Sequence, residues 1–326
     1  MLSRVAERVY WTGRYIERAE STARLLNAYT TQVMDLPLGG EQGWKQLVDI
    51  TGSNALFERL HDCYDEPSTV EFLLAHADNP SSILSSLAMM RENVRTTRDV
   101  LPTEAWAHAN ELYLYARANA QQSIGRRNRF GFLKTVVFRC QQLTGLLAGT
   151  MSQDAAYGFV RIGGNLERAD MTTRVVDSAV FVLMPRKEAP GEYDSILWVN
   201  VLKSLSAYQM YRQHVRNRVV ADEVVRFLLT DLYFPRSVAH TLSQSEACIA
   251  TLPRNAAPLK SLGRVRARID GADIGRASLD DLHRLIDEVQ SDLADVNEQI
   301  QATWFTLERT EPVQTTATQS QFQKQA

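Results

Sequence analysis

A twelve-residue element occurs twice in this chain. Gly13-Arg14-Tyr15-Ile16-Glu17-Arg18-Ala19-Glu20-Ser21-Thr22-Ala23-Arg24 returns 150 residues later, without a gap, as Gly163-Gly164-Asn165-Leu166-Glu167-Arg168-Ala169-Asp170-Met171-Thr172-Thr173-Arg174. Gly, Glu, Arg, Ala, Thr and Arg recur identically, and Ile/Leu and Glu/Asp recur conservatively. Self-similarity at a fixed offset constrains the fold before any local propensity does, and the rest of the chain reads as two copies of one helical unit built around this element.

From Leu2 to Met34 there is no proline and Gly13 is the sole glycine, which predicts one long helix, the spine of a bundle, stopping at Asp35-Leu36-Pro37. Val9, Gly13, Ile16, Ala19, Ala23 and Leu26 fall on one face at steps of four and three, with small residues in the middle where another backbone can come close. Phe159, Gly163, Leu166, Ala169, Thr173 and Val176 repeat that face in a second spine that ends at Met184 before Pro185. The spacing predicts two spine helices related by a pseudo-two-fold axis.

The correspondence continues with a drifting offset. Trp44-Lys45-Gln46-Leu47-Val48 matches Trp198-Val199-Asn200-Val201-Leu202, and Phe72-Leu73-Leu74 with Pro80 matches Phe227-Leu228-Leu229 with Pro235. Each proline suits the first turn of a helix, with Asn79 as a cap, which predicts helices over 81–100 and 236–251. Pro102-Thr103-Glu104 opens another through about Ser123. Gly125-Arg126-Arg127-Asn128-Arg129-Phe130-Gly131 reads as a basic connector between halves, and 253–277, with Arg264, Arg266 and Arg268, as an inserted solvated loop. Ser278 with Asp281 is a capping signal for a last helix, whose stripe is Leu282, Ile286, Val289, Leu293, Val296, Ile300 and Trp304. The expected organisation is a first repeat over 1–125, a second over 126–309 packed with it as one domain, and a polar, disordered tail over 310–326. No alternating strand pattern occurs, and the fold class is all-α.

At 44% hydrophobic and 23% charged, with a net charge of −2, the chain has the balance of an ordinary globular protein and no basic excess that calls for nucleic acid. No apolar run approaches a bilayer span and no signal-peptide core follows Met1, so a cytoplasmic location is expected. Cys63, Cys140 and Cys248 are far apart, with buried free thiol the expected state. The six histidines form no His-x-x-x-His pair and no repeated Glu-x-x-His, which disfavours a di-metal bundle, and no metal is expected. A phosphate-binding glycine loop, a serine nucleophile elbow and a dinucleotide turn are all missing, so no cofactor is implied.

What remains is a set of acids and arginines. Glu17, Glu20 and Arg24 share one flank of the small-residue seam, as do Glu167, Asp170 and Arg174, while Arg18 and Thr22 point elsewhere and Arg168 occupies the matching place in the second copy. Two readings are open: reciprocal ion pairing between spines that holds register, or a site for a ligand carrying both signs of charge, such as a peptide terminus or carboxyl-phosphate. Arg91, Arg95 and Arg98 line one face of another helix beside Glu92, and either the spine acids or an anionic ligand must face them. Arg236, at a helix start after Pro235, is a weaker signal.

These residues carry a resemblance. Ala6-Glu7-Arg8-Val9-Tyr10-Trp11-Thr12-Gly13-Arg14-Tyr15-Ile16-Glu17-Arg18-Ala19-Glu20, the second Glu167-Arg168-Ala169-Asp170, Arg91-Glu92-Asn93-Val94-Arg95 and Asp231-Leu232-Tyr233-Phe234-Pro235-Arg236-Ser237 together resemble the alpha-E family, a bacterial helical domain named for its Glu-Arg motif. The likeness covers roughly residues 1–309. It implies partners, a circularly permuted ATP-grasp enzyme and a transglutaminase-like protein, in systems that form peptide or amide bonds. The chain departs from the family pattern at Gly163-Gly164, where Gly-Arg is usual, and at Gln153, where a base is usual, which implies a weakened second copy. Two functions follow as expectations: an accessory or scaffold that presents a peptide or carboxylate substrate to the ligase, or an enzyme using Glu17 or Glu167 as acid/base and Arg24, Arg91 or Arg174 as anion-stabilising groups.

Overall fold

The computed structural model describes residues 2–35, 41–184, 192–215 and 218–306, and every regular element among them is helical. The first seven helices are α1 (Ser3–Asp35), α2 (Glu41–Thr51), α3 (Asn54–Leu60), α4 (Glu66–Leu74), α5 (Ile83–Thr96), α6 (Thr103–Asn119) and α7 (Arg126–Thr150). They are followed by α8 (Ala155–Leu183), α9 (Glu192–Ser204), α10 (Tyr208–His214), α11 (Ala221–Thr230), α12 (Val238–Ala250), α13 (Ala256–Asp270) and α14 (Leu279–Ile300), and the chain then widens into a π-helical turn, Gln301–Phe305. The spines α1 and α8 pack on each other at the centre. Helices α5 and α7 lie on α1 as α12 and α14 lie on α8, while α6 bridges α5 and α7 as α13 bridges α12 and α14.

Short polar side chains cap five of the helix starts among the described residues. Asp65 accepts from Ser68 N–H at α4, Ser82 from Ser85 N–H at α5, Asp154 from Ala156 and Tyr157 N–H at α8, and Ser237 from His240 N–H at α12. Ser278 and Asp281 form a complete capping box at α14, as the sequence predicts, and all seven residues of its apolar stripe are buried.

Several expectations are corrected. The helices expected over 81–100 and 236–251 start at the serines that follow Pro80 and Pro235, because those hydroxyls satisfy the free N–H groups. Asn79 is no cap: it braces the preceding turn, its Oδ1 accepting from Ser81 N–H and its Nδ2 donating to Phe72 C=O. The basic connector is the first two turns of α7, in which Arg129 is buried and donates to Glu66 (2.8 Å). The stretch 253–277 is mostly α13, not loop, and its Arg264, Arg266 and Arg268 pair with Asp295, Glu246 and Asp292. Among the thiols, Cys140 and Cys248 are buried as expected, but Cys63, in the turn after α3, is exposed. The tail over 310–326 and the residues Pro37 and Pro185 lie outside the described residues.

The spines meet at their glycines. A Cβ built on Gly13 would sit 2.1 Å from Val160 O, and one built on Gly163 would sit 2.1 Å from Tyr10 O. No carbon tolerates that distance, so these positions require glycine for close approach. All twelve expected seam residues are buried. Gly163→Ala is therefore expected to cost at least about 1–3 kcal/mol by overpacking. Gly145→Ala, on a face of α7 where an added Cβ meets nothing within 4 Å, should stabilise by about 0.5–1 kcal/mol. Thermal or urea unfolding of the two variants checks the opposite signs.

Candidate functional site

The glycine contact brings the residues one turn further along each spine within reach of the other. Glu17 and Glu167 are each 3% exposed, which obliges a charged carboxylate to be paired. Arg168 donates from Nη2 and Nε to Glu17 Oε2 (2.6 and 3.1 Å), and Arg18 donates from Nε and Nη2 to the two oxygens of Glu167 (2.5 and 3.0 Å). The Glu-Arg dipeptides of α1 and α8 thus clasp each other reciprocally. Reciprocal pairing between spines is observed, but through Arg18 and Arg168, not through Arg24 and Arg174. At so close a crossing a guanidinium one step off the seam reaches across to the neighbouring helix.

Each central carboxylate has a second arginine, and here the two sides differ. Glu17 Oε1 accepts from Arg236 Nη1 (2.6 Å) and from Ser21 Oγ (3.0 Å), whereas Glu167 Oε2 accepts from Arg14 Nε (2.5 Å). Gly164 stands at the place matching Arg14, and Ser81 at the place matching Arg236. Each half lacks the arginine that the other half supplies, and Glu167 is held by as many guanidinia as Glu17. The weakening implied by Gly163-Gly164 is offset at the level of pairing. Arg236, the weaker signal in the sequence, is central: its Nη2 also donates to Glu20 Oε1 (2.8 Å), and its own carbonyl accepts from the buried Thr172 hydroxyl (2.9 Å).

Glu20 further accepts from Arg24 Nη2 (2.7 Å), whose Nη1 donates to Ser206 Oγ. Asp170 and Arg174 pair only with each other among the described contacts (3.0 Å) and are partly exposed. Arg14 also donates to the Tyr10 hydroxyl (3.2 Å), which donates to Asn297 Oδ1 on α14 (2.6 Å). The second patch stays apart from this network. Arg91 donates to Asn110 (2.7 Å) and lies over Trp106 and Tyr113, Arg98 lies 4.1 Å over Trp106, and Arg95 pairs with exposed Glu92 (2.7 Å). Aromatic faces of α6, not the spine acids, take up the charge expected to need an anion. Arg14, Ser21 and the Tyr10–Asn297 contact were missed. The four-residue spacing of Arg14 and Arg18 is the signal that two guanidinia share one flank.

Electrostatics follow from this geometry. Burial pushes the carboxyl groups of Glu17 and Glu167 up, but Arg168 with Arg236, and Arg14 with Arg18, outweigh it and hold both below the usual carboxylate range. Burial raises the Tyr10 hydroxyl, and burial with nearby Glu20 and Glu17 raises the Cys140 thiol. Five guanidinia share three carboxylates in this network, leaving its field positive. Two openings border it. A cavity of about 170 Å³ beside the crossing is lined by Glu17, Asn165, Arg168, Arg161, His240 and Gln244. A wider groove of about 750 Å³ between α6 and α7 is lined by Arg24, His108, Glu111, Lys134, Phe138 and Arg139.

Two outcomes follow. Arg236→Met strands Glu17 and Glu20 with a buried partner missing and should cost about 3–5 kcal/mol of folding stability. Because both central carboxyls titrate lower when folded than their ordinary 4.5, their contribution is complete above that value and is lost as pH falls below it towards the folded values. Unfolding free energy measured from pH 7 to 3 should drop through that acid window, and Glu17→Gln with Glu167→Gln should flatten the dependence while lowering stability at pH 7.

Residues 1–305 match the family model Alpha-E, a predicted alpha-helical domain with a conserved ER motif. The chain is similar to uncharacterized proteins of Mycobacterium bovis and Mycobacterium tuberculosis, each 22% identical in an alignment of 335 positions that covers 93% of this chain and 37% of each relative. It therefore spans little more than a third of the length of the curated relatives it matches. No solved structure matches it.

Proposed function

The chain belongs to the Alpha-E family, and from that premise we propose that it is a non-catalytic accessory of an ATP-grasp-type peptide or amide ligase system, presenting a peptide or carboxylate substrate. The observation that carries this reading is that the motif's central carboxylates are enclosed and fully engaged by arginines. A carboxylate held ionised below its ordinary range has no proton to give and is a poor acceptor, which disfavours Glu17 and Glu167 as general acid or base. The outward face of the network is better suited to recognition. Arg24 belongs both to the network and to the groove, and with Lys134 and Arg139 opposite a single acid, Glu111, that groove favours an anionic group such as a carboxylate or acyl-phosphate.

The partner classes, the ligase and a transglutaminase-like protein, are supplied by the resemblance, as are a bacterial setting and peptide modification. No helix among the described residues is long and apolar enough to cross a membrane, which is compatible with the cytoplasmic location proposed for such a system. The longer mycobacterial relatives support work alongside further domains, since there the matched region is one part of a larger chain. We also propose that the chain is an internal duplication of seven helices with a pseudo-two-fold axis through the α1–α8 crossing, the first unit ending with α7 at Thr150 in place of the boundary at 125 expected from the sequence. Equal order of elements, matching neighbours and reciprocal Gly and Glu-Arg contacts support it.

A second reading, an enzyme of peptide or amide chemistry, draws on the small cavity that reaches Glu17 and Arg168. The two are separated by comparing Lys134→Glu/Arg139→Glu with Asn165→Leu, which narrows that cavity and removes a polar group from its wall. Each is scored for melting temperature, for co-purification with the host's ATP-grasp-type ligase and for amide formation in the host pathway. The accessory reading predicts that the groove variant melts like the parent but loses ligase association or substrate presentation, with pathway activity down at least tenfold. Loss of activity in the cavity variant alone, with association intact, contradicts it in favour of the enzyme.

A further inference from the structure

Away from the spines, the fold gathers a set of donors that sequence spacing conceals. His61 is the residue at which α3 ends, its backbone extended (φ −138°, ψ 141°) so that the chain turns back towards α4. Glu71 lies in the last turns of α4, and His76 follows two residues after that helix, its N–H bonded back to Glu71 C=O (3.1 Å). One ligand atom from each of His61, Glu71 and His76 lies within 4.8 Å of the other two. His61 Nε2 stands 3.9 Å from Glu71 Oε2, and that nitrogen is buried without a hydrogen-bond partner. A buried imidazole nitrogen left without a partner carries a desolvation cost that a bound ligand would remove.

Geometry and donor chemistry narrow what that is. Two ligands at zinc's usual distance of about 2.1 Å in a tetrahedral shell are about 3.4 Å apart, so the His61–Glu71 pair must close by about half an ångström. Two imidazoles and one carboxylate suit a late first-row divalent cation, and hard calcium or magnesium would be poorly served by two nitrogens. Aromatic rings pack around the ligands: the His61 ring lies 4.7 Å from the Phe57 ring and edge-on to Phe72, and the His76 ring lies 6.0 Å from both His61 and Phe72. All three ligands are partly exposed, which leaves one side of the site open to water.

The matching helices of the second half provide an internal comparison. Val215 ends α10 where His61 ends α3, and Arg226 and Asp231 stand at the places of Glu71 and His76. An equivalent helix pair therefore folds without a ligand set, so packing does not require the three donors. We propose that His61, Glu71 and His76 form a binding site for a zinc-class divalent cation, with water in the fourth position, that ties the end of α3 to α4.

Binding through His76 Nε2 would move the ring proton to Nδ1, which now accepts from Asp78 N–H at 3.3 Å, so that weak bond is the one to change on loading. The test uses the full chain, stripped with EDTA and titrated with ZnCl2 by calorimetry at pH 7.5, and with CoCl2 for the visible absorption of a four-coordinate site. The expected result is one equivalent bound in the micromolar range or tighter, with the tetrahedral cobalt spectrum. His61→Ala and Glu71→Gln should each weaken binding at least tenfold while keeping the parent's helical circular dichroism. His283→Ala disables a second cluster of donors among the described residues, Asp177, His283 and Asp287, and should leave binding unchanged. Absence of binding by the parent, undiminished binding by a folded His61→Ala variant, or loss of binding in His283→Ala would each overturn the assignment. If both His61→Ala and Glu71→Gln unfold, the parent's amide spectrum decides: zinc must shift Asp78 and its neighbours, and shifts confined to residues around His283 refute the site.

Discussion

The contact between two glycine-bearing helices governs what the rest of this structure can be. Because Gly13 and Gly163 admit no side chain, α1 and α8 approach until backbone meets backbone, and everything adjacent to the crossing is set by that distance. Arginines that would otherwise project past the neighbouring helix instead reach its carboxylates. Glutamates that would otherwise be hydrated are enclosed at 3% exposure and must be paired. The outer helices then follow from the spines. Helices α5 and α7 cover α1, α12 and α14 cover α8, and the turn before α12 delivers Arg236 to two acids of α1.

A buried ion-pair network is costly to form and costly to break, and the balance of the two effects decides its meaning. Desolvating these groups offsets much of the Coulomb attraction, so an apolar crossing of similar volume would be as stable or more so. Such a crossing would have only the two glycine contacts to set its register. Two fork-like guanidinia set across two carboxylates have one register, and a shift by one helical turn would leave buried charges unpaired. The asymmetric second arginines, Arg14 on one side and Arg236 on the other, distinguish the two sides of the crossing and fix which partner lies where. Arg24, shared between the network and the adjacent groove, lines that groove with Lys134 and Arg139, and it links the structural clasp to the proposed recognition of an anionic substrate.

Much of the fold is legible in the sequence because it is written in periodicity and caps: both spines, the seam residues, the capping box at Ser278 and the buried stripe of α14. The errors have a common physical source. Proline and glycine mark breaks, but they do not say how far a break extends, so the Arg-rich start of α7 and the Arg-rich α13 read as loops although their charges are satisfied by acids on neighbouring helices. The candidate site was legible as a set of residues but not as a set of pairs. Helical geometry places Glu17 and Arg24 on one flank and sets Arg18 aside, because a projection has no knowledge of how close the next helix comes. Arg236 is remote in sequence from every acid it holds, and the cluster of His61, Glu71 and His76 depends on a chain reversal between α3 and α4 that spacing rules do not encode.

The central claim is that the Glu-Arg motif is a structural clasp between α1 and α8. A double-mutant cycle on Arg18→Met and Glu167→Gln, followed by urea unfolding at pH 7, measures it most directly. The structure predicts two destabilised single variants and a coupling near the upper end of the usual range, about 2–3 kcal/mol, because removing the second partner no longer strands a buried charge. A coupling near zero, with both single variants as stable as the parent, would contradict the claim and return the motif to the status of an unassigned site.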